Sequence, residues 1–130
     1  MGKRELLRAF IVVYFDLLTK VKKQSENNNE FDMFYKKNIM LKKTNPKMFI
    51  KVWYENMTIP YHEHIMTGNV EHIFSDEVVN NVSQKSGCDM VKYVGKFREK
   101  YNNTEPEIVE ELLLRVQQLT QLSYNYFNIA

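Results

Sequence analysis

The sequence predicts an all-α fold: a single compact domain of six or seven helices that ends in a long C-terminal helix. Two observations carry this. Apolar side chains recur at three- and four-residue spacing along most of the chain. Stop and cap signals at Pro46, Gly68, Ser75, Gly87 and Thr104 separate those stripes. With 130 residues, 44% of them hydrophobic and 13% aromatic, the chain suffices for one domain, residues 1–130, with its own core.

The first helix is expected from Lys3 to Gln24. Leu6, Leu7, Phe10, Ile11, Tyr14, Leu17, Leu18 and Val21 form its stripe, and Val12, Val13 and Phe15 make its middle turn apolar nearly all round. After the polar break at 24–29, a second helix spans about Glu30 to Lys43, with Phe31, Phe34, Tyr35, Ile39 and Leu41 as its inward residues. Asn45-Pro46 stops it, since proline donates no hydrogen bond and biases its predecessor away from helix. Pro46 then suits the first turn of a third helix to Met57, striped by Phe49, Ile50, Trp53 and Met57. Ile59-Pro60 is expected to end that helix and open a short one, Tyr61 to Thr67, closed by Gly68-Asn69 in a left-handed cap.

Ser75 reads as the N-cap of a short helix to Lys85 that buries Val78, Val79 and Val82. Asp89 to Tyr101 is amphipathic through Met90, Tyr93, Val94, Phe97 and Tyr101, with Gly95 suggesting close backbone contact. Thr104-Glu105-Pro106-Glu107 is a capping-box pattern opening the longest helix, to Phe127. Val109, Leu112, Val116, Leu119, Ser123 and Tyr126 form its seam, widened by Ile108, Leu113, Leu114 and Leu122.

Composition removes several function classes. A net charge of +2 gives the whole surface no strong drive toward nucleic acid. The single cysteine, Cys88, excludes an intrachain disulfide framework and a cysteine-based zinc finger. The apolar run Ala9–Phe15 is broken by Asp16 and followed by Lys20, Lys22 and Lys23, so neither a transmembrane segment nor a secretory signal is expected there. Gly2 lacks the Ser or Thr that myristoylation needs, because Leu6 stands at that position.

Catalytic signatures are missing. His62-Glu63-His64 with His72 gathers metal-type ligands, but histidines two apart face opposite sides of a helix, and the helical zinc pattern needs a spacing of four. Cys88 sits at a possible helix start without a recognisable nucleophile motif. The four glycines are scattered, so no phosphate loop is present. The expectation is a protein without catalytic, cofactor or metal residues.

A charged segment is more informative. Lys36, Lys37, Lys42, Lys43, Lys47 and Lys51 lie between Met33 and Tyr54 without one acid, interleaved with Phe34, Tyr35, Phe49, Trp53 and Tyr54. Lysines among aromatics suit a nucleic-acid backbone with stacked bases, which makes nucleic-acid binding by residues 34–54 the alternative function. The absence of arginine there weakens base readout. The acidic counterpart is Glu105, Glu107, Glu110 and Glu111. Opposed patches on one small protein favour contacts with copies of itself or with other proteins.

Asn45-Pro46-Lys47-Met48-Phe49-Ile50-Lys51-Val52-Trp53, then Pro60-Tyr61, then Ile65-Met66-Thr67-Gly68-Asn69, resembles a pattern in small helical proteins of large icosahedral double-stranded DNA viruses. The resemblance is confined to residues 45–69. It implies a virion component such as a minor capsid protein, made in the host cytoplasm and placed in the particle against other shell proteins. It carries over no catalytic residue. The same residues have a plain structural meaning as a helix stop and start, a buried stripe and a short capped helix.

The first and last helices are both rich in apolar surface, and a chain of this size has limited material to cover both. The expected protein contacts are Phe10 and Tyr14 on the first helix, Lys36, Lys43, Lys47 and Lys51 in the basic segment, and Leu113, Tyr124, Tyr126 and Phe127 on the last.

Overall fold

The computed structural model describes residues 2–23, 29–69, 72, 75, 78, 90–101 and 105–129. Among them the fold is all-α, built from α1 (Lys3–Lys23), α2 (Asn29–Thr44), α3 (Lys47–Trp53), a π-helical turn (Tyr54–Thr58), α4 (Ile59–Met66), α5 (Met90–Tyr101) and α6 (Pro106–Asn128). The α3, π and α4 segments run on without a break in helical dihedrals, which leaves five rods among the described residues rather than six or seven separate helices. The expected helix from Ser75 to Lys85 lies outside the described residues except at two positions. There the Ser75 Oγ accepts from the Val78 N–H at 3.4 Å, the contact an N-cap makes.

The α1–α6 pair is the most extensive helix contact among the described residues. On α1, Leu6, Phe10, Tyr14, Leu17, Leu18 and Val21 are buried; on α6, Leu112, Val116, Leu119, Thr120 and Ser123 are. The first and last helices, both rich in apolar surface, therefore cover each other. Phe10 and Tyr14, expected at a contact with another chain, are instead 0% and 3% exposed within the chain's own core. Leu114, expected to widen the inner seam of α6, points outward at 49% exposure.

The third rod crosses α6 through polar bonds as well as apolar packing. Trp53 Nε1 donates to Thr120 Oγ1 at 3.1 Å, and that hydroxyl donates to the Val116 carbonyl at 2.9 Å. Ser123 Oγ donates to the Thr120 carbonyl at 2.9 Å and meets Thr58 Oγ1 at 2.6 Å. Every polar atom in this seam has a partner, as burial demands.

Pro60 does not end the third helix. A proline lacks the N–H and crowds the carbonyl four residues back. The preceding π turn accommodates both by widening the helix, with the Ile59 N–H bonded to the Tyr54 carbonyl five residues away. The rod stops instead at Gly68, whose φ is +76°. The Gly68 N–H bonds to Ile65 O at 3.1 Å and the Asn69 N–H to His64 O at 2.9 Å, the paired bonds of a Schellman end. The capping box expected at α6 is replaced by Pro106 at the first position and a Glu105 N-cap that makes no side-chain cap bond; Thr104 lies outside the described residues.

Candidate functional site

The corner at Asn45-Pro46 turns the chain so that α3 presents Lys47, Met48 and Lys51 to solvent while Phe49, Ile50 and Trp53 enter the core. The C-terminal turns of α6 arrive beside this outer face. Asn45, Lys47, Met48, Lys51, Tyr126 and Phe127 line a cleft of about 320 Å³ between them. Its aromatic wall is braced from behind: Tyr54 stacks on Phe127 with ring centroids 4.4 Å apart and planes 24° from parallel. Tyr126 meets Phe127 edge-on at 4.9 Å, and Lys3 Nζ lies 5.2 Å from the Tyr126 ring centre. The result is a packed aromatic wall with cationic groups around it, open enough that Met48 and Phe127 remain 37% and 39% exposed.

Four of the residues expected at a protein contact meet here: Lys47, Lys51, Tyr126 and Phe127. Lys36 and Lys43 are exposed on α2 instead. Leu113 is half-buried beside the Gly68 turn, and Tyr124 is exposed with its ring 5.1 Å from His62. No local pattern marked Lys3 as a neighbour of Tyr126, because the contact joins the two ends of the described chain.

Electrostatics separate the charged groups into used and unused sets. Arg115 Nε binds Asp16 at 2.8 Å and Lys20 binds Glu111 at 2.7 Å, which ties α1 to α6. Lys92 binds Glu30 at 2.8 Å, and this hydrogen bond and the lysine charge hold the Glu30 carboxyl below its ordinary pKa. Among the described residues no carboxylate pairs with Lys36, Lys37, Lys43, Lys47 or Lys51.

Four of the five aromatics interleaved with those lysines pack inward, and the fifth, Tyr54, stacks on Phe127. Phe49 and Trp53 are buried; Phe34 and Tyr35 pack against the core, and Lys22 covers the Tyr35 ring at 4.1 Å. The histidines split as helical spacing requires: His62 turns toward Tyr124, while the His64 and His72 rings lie 4.2 Å apart. Among the described residues, no group of three or more His, Cys, Asp or Glu is placed to hold a metal, and no helix is long and apolar enough to cross a membrane. Cys88 lies outside those residues.

Compared with known proteins, the chain matches no family model, no curated protein and no solved structure.

Proposed function

We propose that this domain is a non-enzymatic interaction module, a minor structural component of a large viral particle that seats a neighbouring shell protein in the Lys47–Phe127 cleft. The observation that carries the interaction reading is the cleft itself: two lysines that no carboxylate among the described residues pairs with, beside a braced, partly exposed aromatic wall. Aromatic and methionine side chains are enriched at protein contacts, and the lysines beside them supply charge for a complementary partner. The chemistry fits a partner segment with an apolar or aromatic side chain for the wall and carboxylates for Lys47 and Lys51. The viral assignment rests on the pattern at residues 45–69.

Cross-linking and mass spectrometry on purified particles of the encoding virus test both parts. The expected result is that the chain is present and that Lys47 and Lys51 cross-link to a shell protein. Particles that lack the chain overturn the virion assignment. Cross-links spread evenly over all surface lysines overturn the cleft.

Nucleic-acid binding through residues 34–54 is the second reading, favoured by the unpaired lysines. The inward aromatics oppose it, since stacking needs exposed rings. It requires duplex or single-strand binding in the micromolar range at physiological salt, lost when Lys36, Lys37 and Lys51 become glutamate.

A further inference from the structure

We propose that copies of this chain associate by laying the lysine–methionine face of α2 on one copy against the glutamate–leucine face of α6 on another. This extends the interaction reading by naming a second copy as a partner. It uses none of the residues that line the cleft.

Met33 and Met40 are 73% and 66% exposed, the two most exposed large apolar side chains described. They lie on the side of α2 opposite its buried Phe31, at about 100° of rotation per residue. Lys36 and Lys37 fall between them, Lys43 follows one turn later, and a shallow groove of about 400 Å³ beside Met40 is lined by Lys36, Lys37, Leu41 and Thr44. All three lysines are exposed. This is an apolar ridge with a positive rim and, among the described residues, no counterion of its own.

The outer face of α6 repeats the arrangement with the opposite sign. Leu114 is 49% exposed, on the side away from the buried Leu112, Val116 and Leu119. Glu107 and Glu110 are exposed seven and four residues before it, and Glu111 lies three before it, held by Lys20. The positions Met33, Lys36, Lys37, Met40 and the positions Glu107, Glu110, Glu111, Leu114 have the same i, i+3, i+4, i+7 spacing. Two such ridges can pack ridge into groove, with Met40 and Leu114 at the centre and lysines facing glutamates at the rim. A nucleic acid would satisfy the lysines but leave the methionines against water. A second copy satisfies both.

Two helix faces bury less than the roughly 1,200 Å² of a stable complex, so the contact is weak and salt-sensitive. Sedimentation equilibrium of the full chain at about 0.5 mM is expected to give a mass above the monomer in about 50 mM salt, falling back to the monomer in about 0.5 M salt. The triple variant K36E/K37E/K43E and the double variant E107K/E110K are each expected to stay monomeric at low salt. Mixed in equal amounts they are expected to associate again, because each then offers the charge that the other lost. That recovery also proves both variants folded. A wild-type chain that stays monomeric at low salt, association that survives either reversal, or a mixture that fails to recover overturns the proposal. None of these results touches the cleft, whose own test uses Lys47 and Lys51 in particles.

Discussion

Helices α6 and α2 carry comparable apolar content but end in different states. Along α6 one set of positions holds a single phase, so Leu112, Val116 and Leu119 with Thr120 and Ser123 all reach the core, while Leu114 stays outside it. Along α2 the apolar residues are spread round the helix, and only Phe31 and Asn38 are fully buried. Met33 and Met40 are left outside because they sit half a turn from Phe31. A coherent stripe produces a sealed seam even with Leu114 left outside it; a scattered one leaves a helix with few buried anchors.

The polar atoms sharpen the contrast. In the α6 seam, Thr58, Thr120 and Ser123 close a network with Trp53 and two carbonyls. On α2 a single buried amide fastens the helix: Tyr14 OH donates to Asn38 Oδ1 at 2.8 Å, and Asn38 Nδ2 donates to the Phe34 carbonyl at 2.7 Å.

If the seam holds the molecule together, Leu119→Ala has the largest effect. The residue is fully buried, so a loss of about 2–5 kcal/mol is expected in denaturant unfolding. Thr120→Val keeps the shape but leaves the Trp53 N–H buried without its acceptor, and should cost about 1–3 kcal/mol by the same measurement. A smaller cost for Thr120→Val than for Met40→Lys would invert the comparison.

Asn38→Ala comes next, since it removes the Asn38 Oδ1 that accepts from the Tyr14 hydroxyl at the α1–α2 contact. About 1–2 kcal/mol is expected, with faster amide exchange concentrated in α2. An equal rise in exchange along α6 would show that the two regions unfold as one unit.

The Lys92–Glu30 pair joins α5 to α2 at the surface, and its effect should be small. Glu30 is held below its ordinary pKa by the lysine's hydrogen bond and charge. Its contribution is therefore present above the ordinary glutamate value and disappears as pH falls through the lowered one. Glu30→Gln is expected to melt slightly below wild type near neutrality and together with it in strong acid. Last, Met40→Lys should change monomer stability by no more than about 0.5 kcal/mol, because the residue is already 66% exposed.

Much of the interior was legible in the chain. Phe49, Ile50, Trp53 and Met57 were expected to share a face and all are buried, as are Met90, Tyr93, Val94 and Phe97; the Tyr101 side chain lies outside the described residues. The Gly68 cap was legible for a local reason, since a left-handed residue after a helical stripe favours glycine. Pro60 misled because a local stop signal can be absorbed by a π turn when the residues on either side, Met57 and Ile65, have a core to enter. The cleft was half legible: its lysines and aromatics were singled out, but not that α3 would lie beside the end of α6.

The sequence by itself determined that the described chain is helical, where most of its helices begin, and the inward stripe of α1, α3, α5 and most of α6, because periodicity and caps act over a few residues. Only the tertiary structure decided which faces cover each other. It paired α1 with α6, turned Phe10 and Tyr14 into core, set Tyr126 and Phe127 beside Lys47, and left the ridges at Met40 and Leu114 open. Those outcomes depend on how helices pack across long stretches of chain, where the free energy belongs to the whole core and no local pattern records it.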